Sequence, residues 1–423
     1  MENIFALADC NNFYVSCERV FKPELKNKPV VILSNNDGCI VSRSQEAKAL
    51  GIGMGVPFFQ VRDIVESHNV KVFSSNYTLY GDISERVMDT LSRFTPNMEY
   101  YSIDEAFLSL YNISERNLTE YAKEIRRTVL KHTGIPISIG IAKTKTLAKI
   151  ANEYVKRNPK LNGVLDINNL PNMDKMLDHV PVYDIWGVGG QFGKYLMSWG
   201  IFTALDFRNA NENFIRNKMG VIGVRTQMEL KEISCLELNE VSDPRKGIMS
   251  SRSFSKYVTE LDELQEAVSQ YTTRAAEKLR KQNSIANNIY VFLQTNIHKL
   301  HEMQYSQGIN YSLPEPTAFT PDLIRYARAL MKKIYKQGYK YIKAGVMLTG
   351  IISKDTIQLN VFLNNKHDKK YRLMQSIDDI NQYWGRDTVK SASSGIKQDW
   401  KMRRDYCSPR YTTNWNELLT IKL

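Results

Sequence analysis

Apolar and polar residues alternate in two distinct patterns along the first 160 residues of the chain. Short runs rich in β-branched residues predict strands, and the clearest are Ile4–Asp9, Pro29–Ser34 and Ile135–Ala142. Apolar residues spaced three and four apart predict helices, and the clearest are 80–94, 118–134 and 143–157. These patterns predict a mixed α/β region that ends strand–helix–strand–strand–helix–strand–helix near residue 157.

The later part of the chain has other patterns. Residues 166–240 are predicted to be mostly helical with small glycine turns, and residues 243–352 mix strands and helices as in an α+β unit. Residues 353–423 are polar and basic. A length of 423 residues indicates three or four domains.

Two adjacent acids interrupt one apolar run. Asp104 and Glu105 lie inside "YYSIDEAFLSL", where a regular strand would point them to opposite faces. We therefore predict a junction between the strands "YYSI" and "AFLSL" there, close to Asp9 at the end of the first strand. Three converging carboxylates repel one another unless cations bind them, and hard oxygen ligands favour Mg²⁺ or Mn²⁺. The alternative is a solvated turn.

A lysine stripe offers a partner for phosphate. Lys145, Lys149 and Lys156 fall on one side of the predicted helix 143–157, opposite its apolar residues. Beside a carboxylate cluster, this stripe indicates a triphosphate clamp. The alternative is an amphipathic helix with a solvated lysine face.

The net charge of +12 is unevenly distributed. Residues 1–240 contain equal numbers of basic and acidic residues, so residues 241–423 supply the whole excess. A neutral first part and a basic second part favour a catalytic region joined to one that binds a polyanion, with nucleic acid preferred. The five scattered cysteines form no C-x-x-C pair, and neither a signal peptide nor a membrane span is evident. We expect a cytoplasmic protein with no membrane partner.

The stretch "IWGVGG" (Ile185–Gly190) has the form of a helix-hairpin-helix turn. Gly187 and Gly189 would let backbone N–H groups approach a DNA phosphate without reading its sequence.

Five stretches together resemble the Y-family translesion DNA polymerases: "DCNNFYVSCE", "SNNDGCIVSRSQEAKALG", "YYSIDEAF", "GIAKTKTLAKIANEYVK" and "WGVGG". The chain is most similar to the UmuC branch, the catalytic subunits of bacterial DNA polymerase V. "NNDGC" and the terminal "GIKQDWKMRRDYCSPRYTTNW" resemble that branch specifically.

The resemblance implies a right-hand polymerase. Its parts would be a ferredoxin-like palm, small fingers, a helical thumb with the hairpin, an α+β little finger, and a tail that binds the clamp or other partners. The expected boundaries are 1–24 and 75–165 for the palm, 25–74 for the fingers, 166–240 for the thumb, 243–352 for the little finger and 353–423 for the tail.

The resemblance also implies site residues. The metal ligands for two Mg²⁺ ions, or for Mn²⁺, would be the catalytic acids Asp9, Asp104 and Glu105 with the Cys10 carbonyl. The nucleotide would contact Phe13, Tyr14, Ser42, Lys48 and Lys156, with Tyr14 as the steric gate under the sugar. DNA would contact Gly187, Gly189 and Arg252.

Three positions depart from the family pattern. The residue two after Asp9 is Asn11 and not a second acid, so the ligand set rests on three carboxylates. Many members have an aromatic residue and an arginine where this chain has Gln45 and Lys48. Lysine cannot make the bidentate phosphate contact of arginine, so a looser grip on the nucleotide is expected there.

"QLNVF" resembles the peptide that bacterial polymerases insert into the sliding clamp, and its contacts would be Gln358, Leu359, Val361 and Phe362. The alternative is a plain strand, because apolar residues alternate through it.

The expected function is template-directed, error-prone synthesis opposite damaged DNA in the SOS response, by two-metal phosphoryl transfer. The expected partners are primer–template DNA, dNTP, the sliding clamp, UmuD′-like subunits and RecA. Two alternatives stay open: a palm-fold nucleotide cyclase, and a DNA-bound scaffold without catalytic activity that recruits repair partners.

Overall fold

A computed structural model describes residues 3–113, 117–239, 243–356 and 366–420. Its residues form two compact units. The first unit contains the described residues of Met1–Ser34, Gly38–Ser242 and Tyr406–Leu423, and the second those of Asn35–Asp37 and Asp243–Asp405.

The first unit contains eight strands among its described residues: β1 (Phe5–Cys10), β2 (Val30–Leu33), β3 (Ile40–Arg43), β4 (Lys71–Ser74), β5 (Met98–Tyr100), β6 (Glu105–Ser109), β7 (Ile137–Ala142) and β8 (Val164–Asp166). Its helices are α1 (Phe13–Phe21), α2 (Gln45–Ala49), α3 (Arg62–Ser67), α4 (Tyr77–Ser92), α5 (Leu118–Thr133), α6 (Lys145–Arg157), α7 (Met173–Asp178), α8 (Gly190–Ser198), α9 (Ala204–Asn209) and α10 (Glu212–Leu230).

A five-stranded sheet in the order β5-β6-β1-β7-β8 lies at the centre of the first unit. Strand β1 is antiparallel to both β6 and β7. Its side chains alternate between two cores, as a strand covered on both faces requires. Ala6 and Ala8 belong to the core that contains α4 and α5, whereas Phe5 and Leu7 belong to the core that contains α6 and the helical segment after β8.

A second, three-stranded sheet in the order β3-β2-β4 lies within residues 30–74. Strands β2 and β3 are antiparallel, and β2 and β4 are parallel. A small core of its own, including Val31, Leu33 and Ile40, fills the space under α2 and α3.

The second unit has the element order β9 (Ile248–Val258), α11 (Leu261–Lys281), β10 (Ser284–Thr295), β11 (Ser306–Thr317), α12 (Thr320–Ile334), β12 (Tyr341–Ser353) and α13 (Lys366–Tyr383). Its four strands form an antiparallel sheet in the order β11-β10-β12-β9. Apolar side chains of α11 and α12 cover this sheet and form one core with it, as the α+β prediction implies.

The predicted element order up to residue 157 is confirmed, since β4, α4, β5, β6, α5, β7 and α6 follow one another. The strand predicted over "YYSI" is wrong beyond Tyr100, where β5 ends. The Ser102 hydroxyl accepts hydrogen bonds from the N–H groups of Asp104 (3.2 Å) and Glu105 (3.0 Å), which turns the backbone. The expected domain boundaries stay predictions.

Candidate active site

Two of the three predicted acids lie side by side in the central sheet. Asp9 of β1 is directly opposite Glu105, the first residue of β6. Alternation along β1 places Asp9 on the same face as Leu7, which is the face covered by α6. The two carboxyl groups are close enough to share a hydrogen bond. Strand register therefore builds an acidic pair beneath α6.

Asp104 occupies the turn between β5 and β6. Its Oδ1 accepts a hydrogen bond from the Ser102 hydroxyl at 2.6 Å, and its backbone carbonyl accepts one from the N–H of Cys10 at 2.9 Å. The turn thus fixes the Asp104 backbone beside the end of β1. Within the described ranges, no three His, Cys, Asp or Glu side chains converge closely enough to hold a metal ion alone.

The lysine stripe of α6 pairs with acids from three neighbouring strands. Lys156 contacts Asp9 of β1 at 2.6 Å, Lys149 contacts both oxygens of Glu105 of β6 at 3.0 Å, and Lys145 contacts Glu99 of β5. Each pair brings one ammonium group from the helix onto the same face of the sheet.

Lys145 does not belong to a phosphate clamp. It is buried and also donates to the carbonyl oxygen of Glu237 at 2.7 Å. The sequence interpretation is wrong for this residue, because the helix lies so close to the sheet that its first turn is covered.

Lys149 lies in an aromatic box. Its ammonium nitrogen is 4.7 Å from the ring centre of Tyr101 and 5.9 Å from that of Trp186. The Trp186 indole N–H donates to the Tyr101 hydroxyl at 3.0 Å, and the Trp186 ring stacks on Phe107. Trp186 belongs to "IWGVGG", so the hairpin segment contacts the lysine that holds Glu105. Sequence reasoning missed this role of Trp186 and Tyr101.

Burial and neighbouring charges shift the pKa values of this cluster. Burial raises the pKa of Asp9 to about 8 against the opposing charge of Lys156. Burial also raises the pKa of Glu105, but the hydrogen bond with Asp9 and the ammonium of Lys149 outweigh it and hold that pKa below its usual range. Without a metal ion, Asp9 is therefore the member of the pair that accepts a proton first.

A glycine allows α6 to approach the sheet. A Cβ atom at Gly140 of β7 would lie 2.3 Å from the backbone nitrogen of Asn152 and 2.4 Å from the carbonyl oxygen of Ala148. The Asn152 side chain donates to the carbonyl oxygens of Leu7 (3.1 Å) and Ser138 (2.8 Å). These contacts set the distance from which the lysines reach the acids.

The two predicted aromatic residues lie at the start of α1, just beyond the end of β1. Phe13 is buried in the core, whereas Tyr14 is half-buried. Burial, Tyr77 and the nearby charge of Asp104 raise the pKa of Tyr14 to about 12, so its hydroxyl stays protonated. Tyr14 therefore lies within electrostatic reach of the acidic turn.

The two predicted nucleotide contacts from residues 30–74 have different environments. Ser42 of β3 is buried. Lys48 of α2 is exposed, and desolvation of its ammonium group, followed by repulsion from Arg43 and Lys156, lowers its pKa. Lys48 therefore lies near Lys156, on the side of the acidic pair.

The glycine hairpin has one position that requires glycine. Gly187 has φ +88°, and Gly189 is the residue before helix α8, with open space around its Cβ position. A short 3-10 turn, Val182–Asp184, precedes the hairpin. The N-terminus of α8 is thus presented after a tight glycine turn.

Arg252 lies in the second unit, on the edge strand β9, and is exposed. It belongs to a basic cluster with Arg245, Lys278 and Arg386, which we call the β9 cluster. Burial and then repulsion from the three arginines lower the pKa of Lys278. The residues predicted to contact the clamp, Gln358, Leu359, Val361 and Phe362, lie outside the described residues.

Three family models match the chain. Residues 8–153 match the impB/mucB/samB family, residues 245–361 match its C-terminal domain, and residues 371–421 match a domain of unknown function. None of the helices in the described ranges has a stretch long and apolar enough to cross a membrane.

Curated relatives match over the whole length. The chain is 43% identical to "Protein UmuC" and 41% identical to "Protein ImpB", both of Salmonella typhimurium, with 99% of this chain and 100% of each relative covered. The chain belongs to the UmuC family. A more distant match is "DNA polymerase IV" of Desulfatibacillum aliphaticivorans, which is 27% identical over 93% of this chain and 97% of the relative.

Solved structures share the fold. A chimera titled "Y-family DNA polymerase chimera Dbh-Dpo4(243-245)-Dbh" aligns with a TM-score of 0.66 at 21% identity, over 83% of this chain and 99% of that one. A structure titled "Insertion ternary complex of Dbh DNA polymerase" aligns with a TM-score of 0.53 at the same identity and coverage. The UmuC-family chain thus has the Y-family polymerase fold, with the antiparallel sheet of the second unit matching the family's C-terminal domain.

The chain is therefore a Y-family translesion DNA polymerase, an enzyme of error-prone synthesis in the SOS response. The nucleotide cyclase and the scaffold without catalytic activity are set aside, because the matches to UmuC proteins run from end to end.

Proposed function

We propose that Asp9, Asp104 and Glu105 are the catalytic acids of two-metal nucleotidyl transfer, with Mg²⁺ as the usual ion and Mn²⁺ as a substitute. The observation that supports this assignment is the cross-strand pair of Asp9 and Glu105 under the lysines of α6. In the reaction, the primer 3′-hydroxyl attacks the α-phosphate of the incoming nucleotide and pyrophosphate leaves.

The residues present fit a divalent cation. Two adjacent carboxylates are hard oxygen donors, and the ammonium groups of Lys149 and Lys156, together with the hydrogen bond between the two carboxyl groups, lower the cost of holding them side by side. Asp104 adds a third carboxylate when its side chain leaves the Ser102 hydroxyl, and the Cys10 carbonyl is the nearby backbone oxygen. When bound, the ions supply positive charge to the attacking and leaving oxygens.

For the nucleotide, we propose that Lys156 and Lys48 bind the triphosphate and that Ser42 lies beside it. The electrostatic coupling of Lys48 to Lys156 and Asp9 supports a shared location. A triphosphate bound between Lys48 and Lys156 would offset the electrostatic repulsion between their ammonium groups. Phe13 and Tyr14 would lie under the sugar, with Tyr14 as the gate.

For DNA, we propose that the backbone N–H groups of the hairpin at Gly187 and Gly189 contact a phosphate, and that Arg252 contacts the backbone from the second unit. The open space around Gly189 and the positive φ of Gly187 support the first contact. The basic neighbours of Arg252 support the second.

Family membership alone supports the remaining partners: the sliding clamp through "QLNVF", UmuD′-like subunits and RecA. We propose a cytoplasmic location, which agrees with the five cysteines, none of which forms a disulfide bond in the described structure.

Glu105→Gln and Asp9→Asn test the catalytic assignment. Each keeps the shape of the side chain and removes its charge, so we expect primer extension with Mg²⁺ to fall at least about a thousandfold. Binding to primer–template DNA should stay within a few-fold of the unaltered chain. The matched control is Glu120→Gln, which changes an exposed acid of α5. Near-normal extension by both variants would contradict the assignment.

Deletion of "QLNVF" tests the clamp contact. We expect the stimulation of extension by the clamp to be lost, while extension of short primers without the clamp is retained. Unchanged stimulation would favour the plain strand.

A further inference from the structure

The ring of Tyr14 rests on a second, fully buried tyrosine. Tyr14 and Tyr80 stack with ring centres 4.5 Å apart and planes only 15° from parallel. Tyr80 has no exposed surface, and it lies on α4, whereas Tyr14 lies on α1. The plane of the half-buried Tyr14 is therefore defined by the plane of Tyr80 beneath it.

The hydroxyl of Tyr80 is held by a buried carboxyl group. Tyr80 donates a hydrogen bond of 2.8 Å to Oε1 of Glu18, which is fully buried on α1. The Ser408 hydroxyl donates to the same oxygen, also at 2.8 Å. The second oxygen of Glu18 has no hydrogen-bond partner, so these two hydroxyls are the donors that satisfy this buried group.

Ser408 comes from the other end of the chain and is firmly attached. The Asn76 side-chain amide donates to the carbonyl oxygen (3.0 Å) and hydroxyl oxygen (3.1 Å) of Ser408 and to the carbonyl oxygen of Pro409 (3.1 Å). The Asn76 side-chain oxygen accepts from the N–H of Leu79 and so caps α4, the helix of Tyr80.

Two further contacts fix the same segment. The N–H of Ser74 donates to the carbonyl oxygen of Tyr406 at 3.0 Å, next to β4. Tyr411 is buried and stacks on Phe21, the last residue of α1, with ring centres 4.5 Å apart. The segment Tyr406–Tyr411 therefore contacts both helices that supply the stacked tyrosines, and we call it the gate support.

We propose that Ser408, Glu18 and Tyr80 are positioning residues that set the plane of Tyr14, so that sugar selection depends on the C-terminal segment. This inference rests on the proposed role of Tyr14 as the sugar gate. It gives a role to the last part of residues 371–421, which match a domain of unknown function.

Sugar selection depends on how far the Tyr14 ring can move. A steric gate excludes a 2′-hydroxyl only while its ring cannot move away, because a ring that tilts makes room at little cost. The gate support removes that freedom through buried hydrogen bonds, which are stronger in a low-dielectric interior and costly to leave unmade. Loss of one donor should therefore loosen the stack and leave the metal-binding acids in place.

The test is the ratio of kcat/KM for dNTP to that for rNTP, measured on one primer–template with the full chain. Tyr14→Ala should lower this ratio at least about tenfold. Ser408→Ala and Tyr80→Phe should each lower it about threefold to tenfold, the effect of losing one hydrogen bond. We expect the change mainly as a lower KM for rNTP. The matched control Thr413→Ala, an exposed hydroxyl in the same region, should leave the ratio unchanged.

A double variant separates positioning from a general structural role. If Ser408 acts through Tyr14, then Ser408→Ala combined with Tyr14→Ala should have the ratio of Tyr14→Ala alone. A purely structural contact would lower kcat for both sugars equally and leave the ratio as it was. If that result is found while Tyr14→Ala does lower the ratio, the inference about Ser408 is overturned, but the role of Tyr14 as the sugar gate is retained.

The outcomes for the gate itself are distinct. If a folded, active Tyr14→Ala variant has an unchanged ratio, Tyr14 is not the sugar gate, and the inference about Ser408 is refuted as well. Ser408→Thr retains the hydroxyl, so it should retain the ratio if its melting temperature is normal. If Ser408→Ala fails to fold, Tyr80→Phe removes the other donor to Glu18 and gives the same measurement.

Discussion

Two sites of this polymerase, the acidic pair under α6 in the first unit and the β9 cluster in the second, arrange their charges in opposite ways. In the first unit, Asp9, Glu99 and Glu105 of the central sheet each have a lysine of α6 as counterion. In the second unit, Lys278 has three arginines as electrostatic neighbours, and their repulsion adds to burial in lowering its pKa. The acidic site of the first unit neutralises its own charges, whereas the β9 cluster of the second unit collects charges of one sign.

The difference follows from burial. A carboxylate in a low-dielectric interior is costly without a partner, so the first unit must provide counterions within the chain. Exposed cations are screened by water and salt, so the β9 cluster can tolerate repulsion. Divalent cations would replace the lysine ammonium groups as partners of the acids. DNA phosphates would instead reduce the repulsion between the cations of the β9 cluster. Metal binding and DNA binding should therefore respond differently to the loss of a lysine or arginine.

A substitution that separates α6 from the sheet would disturb the lysine–acid pairs most strongly. Gly140→Ala places a Cβ atom within 2.3–2.9 Å of the backbone of Asn152, Ala148 and Ala151. Backbone cannot rotate away as a side chain can, so we expect the first unit to lose about 3 kcal/mol or more of stability. The measurement is the melting temperature of the full chain, together with primer extension at a temperature where the variant is folded.

Gly81→Ala is the matched control, because Gly81 lies within α4 and nothing lies within 4 Å of its Cβ position. Alanine there should stabilise the helix by about 0.5–1 kcal/mol. Equal melting temperatures for the two variants would show that α6 can move away from the sheet at little cost.

The sequence predicted the acids better than their surroundings. Asp9, Asp104 and Glu105 stood out because acids at strand ends are rare in apolar runs, and the cross-strand pairing of Asp9 and Glu105 then follows from register. The partners of the three lysines could not be predicted in the same way. Helical periodicity shows which residues share a face of the helix, but it does not give the distance from that face to the sheet. Gly140 and the hydrogen bonds of Asn152 set that distance, and one glycine in a strand has several possible meanings.

The gate support was beyond sequence reasoning for a different reason. Glu18 and Ser408 are 390 positions apart, and no periodic pattern relates a helix near the start of the chain to a polar C-terminal segment. Glu18 also resembles an ordinary surface acid, since it is flanked by Arg19 and lies in an amphipathic helix. Only its burial distinguishes Glu18 from a surface acid, and burial becomes evident only in the folded structure.

The charge of Lys149 can be removed to test how the acidic pair is neutralised. Lys149→Met removes the ammonium that contacts both oxygens of Glu105, so a divalent cation would no longer compete with a like charge there. We expect Mn²⁺ to bind about threefold to tenfold more tightly in isothermal titration calorimetry. Without metal, the variant should melt at a lower temperature, and Mn²⁺ should raise that temperature more than it does for the unaltered chain.

Lys131→Met is the control for this measurement, because Lys131 is exposed at the end of α5 and should leave Mn²⁺ binding unchanged. If Lys149→Met binds Mn²⁺ more weakly, the Lys149 ammonium group orients the Glu105 carboxylate for the ion and does not compete with the ion for it.

The smallest expected effect compares the units directly through salt. Each cation that contacts a DNA phosphate contributes about 0.9 to the slope of log affinity against log salt concentration, because it releases one counterion. Arg252→Ala should therefore lower the magnitude of that slope by about one, as measured by fluorescence anisotropy of labelled primer–template DNA. Lys149→Met should leave the slope unchanged, because Glu105 already neutralises that charge. Lys333→Met, at an exposed position on α12, controls for the loss of any charge from the second unit. If Lys333→Met lowers the magnitude of the slope and Arg252→Ala does not, DNA binds away from the β9 cluster. If Arg252→Ala and Lys149→Met lower it equally, the β9 cluster is no more available to DNA than the neutralised lysine of the acidic site.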